Sequence, residues 1–191
     1  MSQTRLLSAA DSVLVLIDMQ TSLDPVLMRR ERTVQIQRRL IGVARALEVP
    51  ILLTEHYSKG LGSTIAPLQE ALAGSYQPIE KITFSAMGEP SFVSKLQATG
   101  RKTLVLAGCE THICVCQTAL EAAAHGYEVH VVPDATTARH DDGHRFGLER
   151  MQDAGVTRDT WEMTAYQWLR KAGTPEFKAC LPFFKEEATG S

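Results

Sequence analysis

Short hydrophobic runs that alternate with helical patterns restrict the fold of this sequence more than any other feature. Three runs rich in β-branched and aliphatic residues lack a clean every-second-residue alternation and predict strands buried on both faces; they span residues 13–17, 51–54 and 103–107. Three further strands are predicted, at residues 129–132, 159–163 and, as the weakest match, 79–83. Six strands are therefore expected.

Helical patterns fill the segments between these strands. One of them places apolar residues at spacings of four, three and four, which gives a single core-facing stripe: Ile36, Leu40, Val43 and Leu47. Residues 112–125 and 142–154 are each followed by a glycine, as is common at helix ends. The alternation predicts an α/β fold, namely a single doubly wound domain with a six-stranded, mainly parallel sheet and helices on both faces.

Length and charge limit the classes of partner. The 191 residues, of which 44% are hydrophobic, suit one domain over residues 1–191, with a frayed tail at 186–191. The 20 basic and 22 acidic side chains form no long run of one sign, so neither nucleic acid nor a membrane surface is expected as a partner. No apolar stretch is long enough for a signal or membrane segment. We expect a cytoplasmic protein that binds a small molecule.

The four cysteines show no CxxC pair, and three of them lie within eight residues, which predicts reduced thiols rather than a disulfide framework or a zinc ribbon; they are Cys109, Cys114, Cys116 and Cys180. Three are expected to be buried, small hydrophobic side chains. Cys114 differs because it lies near the start of a predicted helix that follows a predicted strand.

Ligands of open parallel sheets bind beyond the carboxyl ends of the strands. Asp18 follows the first strand, and residues 108–114 follow the strand at 103–107, so both point to one crevice. A helix N-terminus favours a thiolate at Cys114 and offers N–H groups to an oxyanion, while Asp18 could transfer the proton. The residues alone leave alternatives open: Asp18 as a cap, Cys114 as a core thiol and Lys81 as a surface charge.

Asp18, Lys81 and Cys114 each lie in a distinctive stretch of sequence. The three stretches are VLVLIDMQ (13–20), EKITFSAM (80–87) and LVLAGCETHICVCQTALEAAAHGYEVHVVPDATTA (104–138). With them the sequence resembles the isochorismatase-like cysteine hydrolase superfamily over nearly its whole length. The resemblance implies a catalytic triad of Cys114, Asp18 and Lys81. It also implies a cis peptide between Cys109 and Glu110, with the N–H groups of Glu110 and Cys114 forming the oxyanion hole.

The substrate pocket is expected to be lined by four residues, of which two fall in the family's pocket segment; the four are His56, Phe84, Met87 and Ile113. The nicotinamidases of this superfamily carry an Asp-x-His metal motif after the second strand, with another His later. This chain instead reads TEHYSKGLGST at 54–64, where Glu55 could accompany His56. Three or four ligands would have to converge on a metal, so we predict no metal and no cofactor. The acidic pair Asp141 and Asp142 is expected to cap a helix.

The resemblance favours hydrolysis of a small carboxamide or related C–N bond through a thioester. One alternative is vinyl-ether hydrolysis of isochorismate, which relies on the aspartate and does not need the thiol. A second is a non-catalytic binding or assembly protein on the same fold. The apolar, aromatic residues 177–184 could pack on a neighbouring chain, and we expect a homo-oligomer, a dimer or larger.

Overall fold

A computed structural model describes residues 6–185. The predicted frayed tail at 186–191 lies outside the described residues. Among these residues, no helix is both long and apolar enough to cross a membrane.

The described residues form one sheet of six parallel strands in the spatial order β3-β2-β1-β4-β5-β6. The strands are β1 (Ser12–Ile17), β2 (Ile51–His56), β3 (Ile79–Lys81), β4 (Thr103–Cys109), β5 (Glu128–Thr137) and β6 (Thr157–Arg158). This is a doubly wound order, in which the chain builds outward from β1 and then returns to place β4 on its other side. The predicted fold class is confirmed, and every strand of the sheet is parallel.

The described part of the chain contains eight α-helices: α1 (Arg30–Ala46), α2 (Ser58–Leu61), α3 (Ala66–Leu72), α4 (Pro90–Ala98), α5 (Cys116–Ala124), α6 (Asp141–Asp153), α7 (Trp161–Leu169) and α8 (Pro175–Lys185). They cover both faces of the sheet. Leu14 and Leu16 of β1 point into the core on the side of α1, α3, α7 and α8, whereas Val13, Val15 and Ile17 point into the core on the side of α4, α5 and α6. The predicted layers are therefore present.

Most predicted bounds differ from the structure by one or two residues and β5 extends five residues beyond its predicted end, but two differences change the interpretation. The strand predicted at 159–163 is wrong, because β6 ends at Arg158 and α7 begins at Trp161. The Thr160 hydroxyl accepts a hydrogen bond from the Met163 N–H at 3.3 Å and caps that helix, which then buries side chains at helical spacing. Helix α6 is not capped by its acidic pair, since His140 is its N-cap residue and both aspartates lie in the first turn.

Helix α8 contains the whole segment, residues 177–184, that was expected to pack on a neighbouring chain. Phe177, Phe183 and Phe184 of this helix pack against the core of their own chain. The ring of Phe184 also stacks on Trp161 and Tyr166, with centroid distances of 5.4 and 4.7 Å. The segment thus has intramolecular contacts, and the homo-oligomer stays a prediction.

Gly108 lets β4 pack closely against β1, at the point where the order of the strands in the sheet reverses. Its φ is +121°, and a Cβ there would lie 2.1 Å from the Ile17 carbonyl oxygen. We expect Gly108→Ala to lower the free energy of unfolding by about 3 kcal/mol or more, because backbone strain and a backbone clash add. Gly126→Ala is the matched control, with φ +83° and no atom within 4 Å of the added Cβ; its expected cost is about 1 kcal/mol. Equal costs in urea unfolding would contradict this account.

His130 makes stability depend on pH. Its ring lies between Asp159, 2.6 Å from Nδ1, and Glu128, 3.2 Å from Nε2. Burial alone would lower the pKa of His130, but these two carboxylates outweigh it and raise that pKa above 6.5. The stabilisation is therefore complete below about pH 6.5 and is lost as the pH rises through the folded-state pKa. We expect His130→Asn to lower the free energy of unfolding more at pH 5.5 than at pH 8.5, as measured by urea unfolding. Equal losses at the two pH values would contradict this explanation.

Candidate active site

An acid and an amine meet at the centre of the sheet's carboxyl edge. Asp18 follows β1 with φ +51°, and Lys81 is the last residue of β3. The Lys81 Nζ lies 2.7 Å from Asp18 Oδ2, and the two side chains are 0% and 1% exposed. The Thr54 hydroxyl donates to Asp18 Oδ1 at 2.7 Å. Both carboxylate oxygens therefore have fixed partners, as a buried charge requires.

The Lys81 ammonium has two further acceptors. It donates to the backbone oxygens of Thr83 at 3.2 Å and Phe84 at 3.0 Å. An ammonium has three N–H donors, so Asp18 and these two carbonyls can each accept one of them. The position of the positive charge is thus set by one carboxylate and by the turn that follows β3.

Cys114 lies in a π-helical turn, Thr111–Val115, between β4 and α5. Its side chain is buried, and its thiol interacts with Asp18 and Lys81. Burial, followed by the negative charge of Asp18, raises the pKa of Cys114 to about 12, while Lys81 acts in the opposite direction. Burial and Asp18 thus act against the thiolate that the helix N-terminus was expected to favour. The thiol needs a base, and the nearest one is the carboxylate beside it.

The peptide bond between Cys109 and Glu110 is cis, as the resemblance implied. The Glu110 carbonyl accepts hydrogen bonds from the N–H groups of Ile113 at 3.0 Å and Val115 at 3.3 Å. The Glu110 carboxylate accepts from the backbone N–H of Arg139 at 2.9 Å and from its Nε at 3.1 Å. Glu110 is thereby held at both its main chain and its side chain.

Helix α6 supports the π-helical turn from outside. A Cβ on Gly147 would lie 2.8 Å from the Cα of His112, so the missing side chain permits this close packing. The Thr111 hydroxyl donates to the Thr137 carbonyl at 3.0 Å and lies 2.9 Å from His144 Nδ1. Burial lowers the pKa of His144, with a smaller contribution from Arg29.

Sequence reasoning missed Thr54, Arg139 and His144 among the residues that hold this site. Thr54 lies near the carboxyl end of a predicted strand, and that position could have pointed to it. The contacts of Arg139 and His144 span 29 and 33 residues, respectively, and no local pattern indicates them.

The four predicted pocket residues differ in their surroundings. The His56 ring stacks on Phe84 with a centroid distance of 5.3 Å, and Phe84 is half exposed. Met87 is buried in the same core cluster as Cys114, and Ile113 is partly buried against that cluster. The backbone carbonyl of Phe84 also accepts a hydrogen bond from Lys81, so this half-exposed residue is connected to the buried ion pair.

The other three cysteines are buried, as predicted. The Cys109 thiol donates to the backbone oxygen of Asp18 at 3.1 Å, which ties β4 to the residue after β1. Burial raises the pKa values of Cys109, Cys116 and Cys180.

The residues at the carboxyl end of β2 do not match the metal motif of nicotinamidases. Oε1 of Glu55 accepts hydrogen bonds from the N–H and hydroxyl of Thr64, at 2.7 and 2.8 Å, and from the Tyr76 hydroxyl. Glu55 is thereby engaged within its own chain beside His56. Within residues 6–185, no three His, Cys, Asp or Glu side chains converge as a metal site requires.

Site and fold together define a class of protein: a doubly wound α/β protein whose polar cluster lies at the topological switch point between β1 and β4, where such folds bind small ligands. The sequence profile of the Isochorismatase domain matches residues 12–163. The chain belongs to the isochorismatase family.

Known proteins resemble the chain over most of its length. Isochorismatase domain-containing protein 1 of Danio rerio is 34% identical over 185 residues, which are 97% of this chain and 65% of that protein. The chain thus spans less than two thirds of that relative. The structure described as MAR1 ribonuclease from Caenorhabditis elegans has a TM-score of 0.89 and 32% identity, covering 97% of this chain and 95% of the other. YcaC from Pseudomonas aeruginosa, solved with hexane-2,5-diol and covalent acrylamide, has a TM-score of 0.85 and 25% identity, covering 95% and 92%.

Proposed function

We propose that the protein hydrolyses a small carboxamide or a related C–N bond, with Cys114 as nucleophile, Asp18 as proton carrier and Lys81 as the charge that stabilises both. The observation that carries this proposal is the contact of the Cys114 thiol with a buried carboxylate–ammonium pair. A nucleophile beside an oriented base is the arrangement that acyl transfer needs.

In the proposed reaction, Asp18 accepts the thiol proton while the Cys114 sulfur attacks the carbonyl carbon. The N–H groups of Glu110 and Cys114 donate to the oxyanion of the tetrahedral intermediate. Asp18 then gives the proton to the leaving amine, and a thioester remains. Water, deprotonated by Asp18, attacks the thioester, releases the carboxylic acid and restores the thiol.

The raised pKa of Cys114 supports a proton transfer that accompanies the attack rather than a standing thiolate. Near neutral pH the sulfur holds its proton, and Asp18 is in contact to receive it. Lys81 lowers the cost of the thiolate that forms, because its charge is the one that acts against burial and Asp18.

Two relatives bear on the proposal in different ways. The P. aeruginosa YcaC structure holds covalent acrylamide, a compound whose double bond adds nucleophiles, and this supports testing the present chain for a reactive thiol. The C. elegans structure is described as a ribonuclease. In the present chain, Lys81 and Arg139 beside the candidate site are each paired with a carboxylate, which favours a neutral substrate over a phosphate backbone.

A panel of small carboxamides, read out as amine or ammonia release, tests the proposal. We expect at least one substrate, and we expect Cys114→Ala to reduce its turnover by at least about 10³-fold, because the covalent route is then lost. Cys116→Ala changes a buried cysteine two residues away and is the matched control, with turnover near that of the wild type. Activity that survives in Cys114→Ala would support vinyl-ether hydrolysis, with isochorismate as the next substrate to assay.

A further inference from the structure

His56 has contacts that the proposed reaction does not use. It is the last residue of β2 and pairs in register with Lys81 of β3, so the two side chains lie on the same face of the sheet. Its ring stacks on Phe84 at an interplanar angle of 30°. The Nδ1 atom is buried and has no hydrogen-bond partner within residues 6–185. The Nδ1 side of the ring therefore packs against its neighbours without forming a hydrogen bond.

Phe84 belongs to the turn that holds the Lys81 ammonium. The carbonyls of Thr83 and Phe84 accept two of the three hydrogen bonds of that ammonium. Farther along, the turn is braced by the Ala86 N–H, which donates to the Thr118 hydroxyl at 2.9 Å. Phe84 is 52% exposed, and its ring packs on that of His56.

The charge state of His56 suits a supporting role beside a cation. Burial, followed by the positive charge of Lys81, lowers the pKa of His56. Asp18 and the Thr83 carbonyl act in the other direction without outweighing these two causes. The ring is thus neutral at pH 7 and above, where it does not repel the neighbouring ammonium.

We propose that His56 is a positioning residue: its ring, packed on Phe84, keeps the Thr83 and Phe84 carbonyls in place, and these carbonyls hold the Lys81 ammonium against Asp18 and Cys114. The inference rests on the proposed function, since Lys81 acts there through its charge at the thiol. Loss of the ring would loosen the turn, move the ammonium and disfavour the Cys114 thiolate.

The rate at which iodoacetamide alkylates Cys114 at pH 9 measures this effect directly. In that reaction a C–S bond forms, the C–I bond breaks with loss of iodide, and the thiol proton goes to solvent. We expect His56→Ala to slow alkylation of Cys114 about tenfold, because small displacements of a charged group change reactivity strongly. His56→Phe keeps a neutral ring on Phe84 and loses only the hydrogen bond of the ring to the Thr83 carbonyl, so it should slow alkylation less than His56→Ala does.

Peptide mass spectrometry separates this effect from a general loss of structure. The alkylation rate of Cys116 in the same sample should be unchanged, and His125→Ala, at an exposed histidine, should behave as the wild type. Phe84→Ala should slow Cys114 as much as His56→Ala does, and the double variant should be no slower than either single variant, because the two residues act as one unit.

Three results would overturn the inference: wild-type rates in His56→Ala, equally slow rates in His56→Ala and His56→Phe, or additive effects in the double variant. The proposed function is tested separately by Cys114→Ala. If that variant still hydrolyses carboxamides, the proposed function and this inference fall together. If it is inactive while His56→Ala alkylates at the wild-type rate, only the inference falls.

Discussion

Asp18→Asn is expected to separate the reactivity of the Cys114 thiol from hydrolysis. The negative charge of Asp18 is the second-largest cause of the raised pKa of Cys114, and Lys81 opposes it. With an amide at position 18, the Lys81 charge acts on the thiol without compensation, so the pKa of Cys114 should fall from about 12. Alkylation by iodoacetamide at pH 8 should then be at least about tenfold faster, the change that one pKa unit gives.

Hydrolysis should respond in the opposite direction. Without a carboxylate there is no group to carry the proton to the leaving amine or to activate water, and a loss of about 10²–10⁴-fold in turnover is expected. Asp153→Asn makes the same chemical change at an exposed position at the end of α6 and should alter neither rate. Slower alkylation together with lost hydrolysis would indicate that Asp18 maintains the site only structurally.

Lys81→Met is expected to have the largest effect on stability. It leaves the Asp18 carboxylate buried with two neutral side-chain partners, the Thr54 hydroxyl and the Cys114 thiol, and removing the charged partner of a buried ion pair costs about 3–5 kcal/mol. The thiolate of Cys114 would also lose the charge that favours it, so turnover should be abolished. Urea unfolding at pH 8 measures the first effect, and a carboxamide assay measures the second.

The double variant Asp18→Asn/Lys81→Met is the matched test of this explanation. It removes both charges, so it should recover much of the stability that Lys81→Met loses, although the site stays inactive. Lys95→Met, at an exposed lysine, should change the free energy of unfolding by no more than about 0.5 kcal/mol. A double variant as unstable as Lys81→Met would show that the lysine stem, and not charge pairing, carries the stability.

Much of this architecture follows from short-range patterns in the sequence. Five of the six strands were predicted at the correct place, because strands buried on both faces are continuous apolar runs, although β5 extends five residues beyond its predicted end. The exception was the sixth, where Thr160 acts as a helix cap and Trp161 starts a helical apolar stripe. Short segments of this kind are ambiguous by periodicity alone, since β6 contains only two residues.

The candidate site was predictable to the extent that its residues follow strands. Asp18 and Cys114 were placed at one crevice by the rule for carboxyl ends of parallel strands, whereas Lys81 came from the resemblance. The protonation state of Cys114 could not be predicted, because it depends on burial and on a carboxylate that lies 96 positions earlier. The support by Arg139 and His144 likewise depends on contacts that form only once the sheet is assembled.

The polar cluster of Asp18, Thr54 and Lys81 lies at the ends of strands, and this position determines which residues of the protein can vary without disturbing it. Tyr57 and Ile82 are exposed large hydrophobic residues in the connections that leave β2 and β3. Asp18, Thr54 and Lys81 instead lie at or beside the ends of the strands themselves, in the packed interior. Replacing Tyr57 or Ile82 is therefore expected to leave the geometry of Asp18, Thr54 and Lys81 unchanged, so that the connections can vary in sequence without disturbing the polar cluster.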